Sequence, residues 1–159
     1  MRLIVAAVGR LKDAERELFD RYAKRVDASG RALGLGPLKL SEIVESRAAS
    51  AALRTDDEAV RLIKATAGAE VTVALDEGGH ALSSEAFSRW LAERRDGGAK
   101  ATAFLIGGPD GHGAAVLDAA TFKLSLGSMT LPHGLARIVL AEQLYRAATI
   151  LAGHPYHRA

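Results

Sequence analysis

At 159 residues, 48% hydrophobic and 25% charged, the chain is long enough to bury a core and has an ordinary globular composition. The absence of cysteine excludes disulfides, cysteine-held metals and thiol catalysis. A net charge of +2 and a pI near 9.1 permit nucleic-acid binding without demanding it, because dedicated phosphate-tracking proteins carry a clustered basic face.

Leu3–Val8 is a continuous apolar run closed by Gly9, the pattern of a strand buried on both faces. The run is too short for a secretion signal or a membrane span, which predicts a cytoplasmic protein. Lys12–Val26 sets Ala14, Leu18, Phe19, Tyr22 and Val26 at helical spacing. Ala28–Pro37, with Ser29, Gly30, Gly34, Gly36 and Pro37, reads as a loop. Leu38–Val44 is a second strand whose alternation suits a place near an edge, and Glu45–Ser50 a loop or an early helix turn. Thr55-Asp56-Asp57-Glu58 has the form of a capping box ahead of Ala59, Val60, Leu62, Ile63 and Ala67. Ala51–Arg54 also favours helix, and Gly68 is the stop.

Val71–Leu75 is the third strand, turned by Asp76-Glu77-Gly78-Gly79. Ser83 or Ser84 caps a helix carrying Ala86, Phe87, Trp90 and Leu91 on one face, which ends at Asp96-Gly97-Gly98. Thr102–Ile106 is the fourth strand, Ala114–Ala120 a short helix and Phe122–Leu126 the fifth strand. The loop Gly127–Gly134 leads into a long final helix. Five alternations without internal repeats predict one α/β domain over residues 1–159 with a mainly parallel sheet. Ligands of such sheets bind beyond the carboxyl ends of the strands. The glycine-rich turns Leu75–Gly79, Gly107–Gly113 and Leu126–Gly134 mark that edge.

Gly107-Gly108-Pro109-Asp110-Gly111 follows a buried strand, where glycines let a ligand or another backbone approach closely. It is neither a dinucleotide fingerprint nor a P-loop, and a tight turn explains it equally well. Gly127–Pro132 offers backbone amides in an apolar setting, which suits the adenine edge of a nucleoside cofactor. The competing reading is a strand-to-helix connection capped by His133 or Thr130. From Gly134 onward the charges are Arg137, Glu142, Arg146 and Arg158, which fit a solvated helix face and a frayed end. Glu142 and Arg146 form an i,i+4 pair. The tail His154-Pro155-Tyr156-His157-Arg158 has an aromatic, two imidazoles and a guanidinium, groups that stack on a base and hold phosphate. His80, His112, His133, His154 and His157 are too scattered for a metal site, and no serine nucleophile elbow is present.

The order LIGGPDG, a strand, SLGSMTLPH, a helix containing RIVLAEQLYRA, then HPYHR resembles the ribosomal RNA large subunit methyltransferase H family of the SPOUT superfamily. The resemblance runs from MRLIVAAVG to HPYHR and is most specific in the C-terminal third. It implies a Rossmann-like α/β fold with a C-terminal trefoil knot, a feature that general topology rules disfavour. It implies a homodimer acting on the assembled ribosome. The reaction implied is methyl transfer from S-adenosyl-L-methionine to N3 of pseudouridine 1915 in 23S ribosomal RNA, with no metal and no membrane. Carried over by motif, the cofactor contacts are Leu75, Gly107, Leu126, Gly127, Ser128, Met129, Thr130 and Leu131. The RNA contacts are Arg146, Tyr156, His157 and Arg158, and the catalytic candidates are His157, Arg158 and Glu142. Gly127 stands where the family commonly has a polar side chain, and Glu45–Ser50 is less basic than the corresponding loop. Two alternatives share the fold: a SPOUT methyltransferase with another RNA target, and a non-catalytic ribosome-binding factor.

Overall fold

Apolar runs separated by glycine-stopped helices fold as that alternation requires. The computed structural model describes residues 1–157. It consists of β1 (Arg2–Val8), α1 (Asp13–Gly30), β2 (Leu38–Ile43), α2 (Ala51–Ala65), β3 (Val71–Ala81), α3 (Ser84–Asp96), β4 (Ala101–Ile106), α4 (Ala114–Ala119), β5 (Phe122–Ser125) and α5 (His133–Leu151). Short 3-10 turns follow α1 at Arg31–Leu33 and α5 at Pro155–His157. The five strands form one sheet in the order β2-β1-β4-β3-β5, and every pairing is parallel. The edge position expected for the second strand is the one β2 occupies.

Strand alternation sorts the core into two layers. Leu3, Val5 and Ala7 of β1, Val73 of β3 and Phe104 and Ile106 of β4 point to one face, with Phe19, Val26, Phe87, Leu91, Leu140 and Leu144 from α1, α3 and α5. Ala6, Val8, Ala74, Ala103 and Leu105 point to the other face, where Ala59 and Leu62 of α2 meet Val116 of α4. Each residue type lies where a two-residue period sends it.

Local chemistry moves several boundaries. Helix α1 continues through Gly30 into the 3-10 turn, so the irregular segment shrinks to Gly34–Pro37. Gly34 closes the turn at φ 68°, a conformation glycine adopts without strain. Helix α2 starts at Ala51, because the Ser50 hydroxyl accepts the Leu53 N–H at 3.2 Å. The Thr55–Glu58 capping box is therefore not used; Thr55 sits inside the helix and its hydroxyl donates to the Ala52 carbonyl. Asp76–Gly79 does not end the third strand. The Asp76 carboxylate accepts the Gly78 N–H at 2.9 Å, the register shifts between Leu75 and His80, and pairing with β5 resumes. Gly79 lies so close to the Lys123–Leu124 backbone that a Cβ there would come within 2.8 Å.

Candidate functional site

The carboxyl ends of β4 and β5 and the bulge of β3 open into a cavity of about 800 Å³. Leu75, Ile106, Leu124 and Leu126 give it an apolar floor, and Pro132, His133 and Ala136 close the side nearest α5. Of the eight residues expected at the cofactor, Leu75, Gly107, Leu126, Gly127, Met129, Thr130 and Leu131 line this space; Ser128 is not among the lining residues.

The two glycine turns are held by different means. Gly107 accommodates backbone: a Cβ there would lie 2.6 Å from the Gly111 carbonyl oxygen and 3.2 Å from the His112 nitrogen. The turn doubles back on itself, with Gly111 N–H donating to Gly108 O at 3.0 Å. Gly127 instead faces open space at φ 131°, and the Ser125 hydroxyl fixes it by accepting its N–H and donating to its carbonyl. Beyond it, among the described residues, the loop is anchored by one side-chain bond, from the Thr130 hydroxyl to Glu77 at 2.7 Å. Met129 is 81% exposed. Among the described residues, the N–H groups of Ser128, Met129, Thr130 and Leu131 donate to no protein acceptor. Neither His133 nor Thr130 caps α5; no side chain bonds to its first turn from the N-cap position.

Five charged or titratable residues in the wall were not among the site candidates, Asp110 and His133 reading as turn and helix-cap residues. Asp76 and Glu77 sit where a turn was expected, and His112 was one of five scattered histidines. His112 Nε2 lies 3.1 Å from the Leu105 carbonyl, and Nδ1 is buried without a partner. Burial pushes this imidazole below its usual range, against the opposing pull of the Leu105 carbonyl and Asp76. The histidine spacing gave no signal; the position just after a glycine turn at the end of a buried strand did.

A second cluster lies elsewhere on α5. Glu142 Oε1 accepts from Arg146 Nη2 at 2.7 Å and from the Tyr156 hydroxyl at 3.1 Å, and Oε2 accepts from Gln143 at 2.7 Å. The Tyr156 ring packs 4.5 Å from Tyr145, and the Arg146 guanidinium stands over it. Arg25 of α1 lies over both the Tyr22 and Tyr145 rings. The chain reaches this place by turning at Gly153, φ 67°, with His154 N–H donating to Thr149 O. Through Tyr156 the tail is folded back on α5, which corrects the expectation of a frayed end. The expectations on the His157 side chain and on Arg158 fall outside the described residues. Along α5 the cluster's Glu142 lies six residues beyond Ala136, the last helix residue lining the cavity, which is roughly 9 Å of helix axis.

The Tyr156 phenol is pushed up from 10.0 to about 12, first by burial and then by the Glu142 carboxylate. It is a hydrogen-bond donor across the physiological range. The sign follows from the raised value: the bond's contribution to stability is complete below about pH 10 and is lost as pH rises through about 12. Ultraviolet titration of the wild type minus that of Tyr156→Phe is expected to isolate a phenol ionising near 12. A difference curve centred at 10 would mean the Glu142 contact is not formed.

The chain matches the family model described as "Predicted SPOUT methyltransferase" over residues 1–157. The ribosomal RNA large subunit methyltransferase H of Xanthobacter autotrophicus is 52% identical, with 100% of both chains covered. The protein of the same name from Brucella anthropi is 51% identical, again over 100% of both. Among solved structures, a probable methyltransferase from Bordetella pertussis superposes with a TM-score of 0.55 at 18% identity, covering 92% of this chain and 96% of that one. A probable methylase family protein from Haemophilus influenzae gives 0.55 at 11% identity, covering 97% and 69%. At these identities the two structures show the shared fold.

Proposed function

The chain belongs to the SPOUT methyltransferases, in the ribosomal RNA large subunit methyltransferase H family, and from that premise we propose that it methylates 23S ribosomal RNA. In full, the reading is transfer of a methyl group from S-adenosylmethionine to N3 of a pseudouridine on the assembled ribosome, in the cytoplasm. The observation that carries it is the cavity at the carboxyl edge, whose wall includes Met129, Thr130 and Leu131 with unpaired amides, in a chain matched end to end by rRNA methyltransferases.

The residues present fit the methyl donor. A volume of about 800 Å³ is in the range of cofactor-sized sites. Leu75, Leu124 and Leu126 supply an apolar slot for adenine, and the Met129, Thr130 and Leu131 amides supply donors for its edge. Among the charged lining residues, Asp110 is paired with Arg54, whereas Asp76 and Glu77 form no salt bridge among the described residues, which suits a cationic ligand. S-adenosylmethionine, when bound, supplies an electrophilic methyl carbon for in-line displacement. The chain must hold N3 in line with it, exclude water and let the N3 proton leave.

Glu142 already accepts bonds from Arg146, Gln143 and Tyr156, so its role is to orient the arginine and the phenol rather than to take a proton. Arg146 and Arg158 stabilise negative charge developing on the ring, and His157 or solvent accepts the proton. The reading includes a homodimer, as the family resemblance implies, in which a second copy of the chain brings its Glu142 cluster to the first copy's cavity. The trefoil knot belongs to the same reading. It is supported by α5, which follows the edge strand β5 and returns to pack against α1 and α3.

The test is mass spectrometry of ribosomal RNA after unmethylated ribosomes are incubated with the protein and S-adenosylmethionine. One added methyl on the pseudouridine is expected; a methyl on another nucleotide would point to a different RNA target, and none to a non-catalytic factor. Truncation after Ala152 separates the two clusters. Calorimetry is expected to give unchanged cofactor affinity, and ribosome methylation to fall by at least about a hundredfold. A truncated protein that methylates at the wild-type rate would remove the tail from the mechanism.

A further inference from the structure

Three side chains on one face of α2 reach the segment that joins it to β2. Arg54 Nη1 donates to the Ala48 carbonyl at 3.1 Å, Glu58 Oε1 accepts the Ser46 N–H at 2.8 Å, and Arg61 Nη1 donates to the Val44 carbonyl at 2.6 Å. Their spacing of four and three residues places them in one row along the helix. Two of the three also face the Gly107–Gly113 turn. Arg54 holds Asp110 with both prongs of its fork, Nε to Oδ2 at 2.7 Å and Nη2 to Oδ1 at 3.3 Å. Glu58, only 4% exposed, presents its unpartnered Oε2 to Gly108, where a Cβ would be 3.1 Å away. Between them the Thr55 carbonyl lies 2.6 Å from where Gly113 would carry a Cβ.

Neither Arg54 nor Glu58 lines the cavity, whereas Gly107, Gly108, Asp110, Gly111 and His112 do. The turn is rich in glycine, so an unanchored turn would have much backbone freedom to lose when a ligand orders it. Its internal hydrogen bond, Gly111 to Gly108, shapes the turn but does not fix it in the molecule. The two-pronged grip on Asp110 does that, and the Arg54 guanidinium holds the Asp110 carboxyl below its usual range, so the pair is ionised at neutral pH.

We propose that Arg54 is a positioning residue for the methyl-donor site. By clamping Asp110 it orders the Gly107–Gly113 turn before the ligand arrives, and by holding Ala48 it ties the 44–48 segment to the same turn. The inference rests on the assignment of the cavity to S-adenosylmethionine. It predicts a preorganisation effect, seen in ligand affinity and in KM for the methyl donor, with kcat unchanged.

The experiment is calorimetric titration of the full chain with S-adenosylmethionine for the wild type, Arg54→Met, Asp110→Asn and the double variant. Each single change is expected to weaken binding about fivefold, and the double variant no further than either. Arg54→Lys, which keeps the charge but not the fork, is expected to fall between wild type and Arg54→Met. Near-ultraviolet circular dichroism checks folding, and Asp110→Asn, on an exposed turn, carries the test if Arg54→Met fails to fold. Wild-type affinity in a folded single variant overturns the inference, as do losses that multiply in the double variant. Failure of the wild-type protein itself to bind S-adenosylmethionine would instead remove the cofactor assignment, and this inference with it.

Discussion

Gly107→Ala is expected to lower affinity for S-adenosylmethionine by about a hundredfold, and Gly107→Val by no less, while the sheet stays folded. The ground is the geometry of the turn rather than the size of the added side chain. A single Cβ at this position would lie 2.6 Å from the Gly111 carbonyl oxygen and 2.7 Å from its carbon, closer than real Cβ atoms come to backbone. Nothing flexible is available to yield, so the two limbs of the turn separate and carry Gly108, Asp110 and His112 with them. All three line the cavity. The strand before the turn is tied down by β1 on one side and β3 on the other, so the disturbance stays beyond Ile106. Calorimetry on variants with wild-type circular dichroism makes the distinction. If alanine binds normally and only valine fails, residue 107 crowds the ligand directly and the turn is not the cause. If both bind normally, the cofactor is not held by this turn.

How much of this was legible beforehand depends on whether the signal was local. Five strands, their parallel sense and the edge that carries the site followed from apolar runs and glycine placement, and the cavity lies beyond the three turns named from those glycines. The start of α2 stayed open between Ala51 and the Thr55 capping box, because both segments favour helix and only the Ser50–Leu53 bond in the fold shows where it begins. The continuation of β3 past Leu75 was hidden because Asp76-Glu77-Gly78-Gly79 has turn chemistry; a bulge consumes the same residues without ending the strand. Asp110 read as a turn residue and Arg54 as part of a charged helix face, and no local rule connects residues fifty-six apart. The tail was read from composition as frayed, whereas the Tyr156–Glu142 bond and the Tyr145 contact hold it on α5. Those partners are three turns back along the helix, a distance that periodicity does not span.

Arg137→Met destabilises the fold by about 3 kcal/mol, the largest stability effect expected of any surface-coded residue in the chain. As one of four charges after Gly134, it suited a solvated helix face. In the fold it is 1% exposed, the largest fully buried side chain among the described residues. Its Nη1 donates to the Gly9 carbonyl at 3.0 Å and to Glu42 at 3.2 Å, and its Nη2 donates to the Val8 carbonyl. The first turn of α5 is thereby joined to the ends of β1 and β2. Burial pushes the guanidinium below its ordinary range while Glu42, Glu15 and Glu45 hold it charged. Methionine matches the volume of the stem but leaves two strand-end carbonyls without a donor and Glu42 without its buried partner. Glu42 keeps the Leu11 N–H at 2.7 Å and Arg16 at 3.4 Å, which places the loss toward the lower end of what breaking a buried pair costs. For a chain of this size the loss corresponds to a fall in melting temperature of roughly 6–12 °C. Glu42→Gln, which retains a hydrogen-bonding oxygen for the guanidinium, is expected to cost less. Urea unfolding of the three proteins measures the difference. If Arg137→Met unfolds within about 1 kcal/mol of the wild type, apolar packing compensates for the lost network. The clamp would then be dispensable for holding α5, whose first turn presents His133 and Ala136 to the cavity.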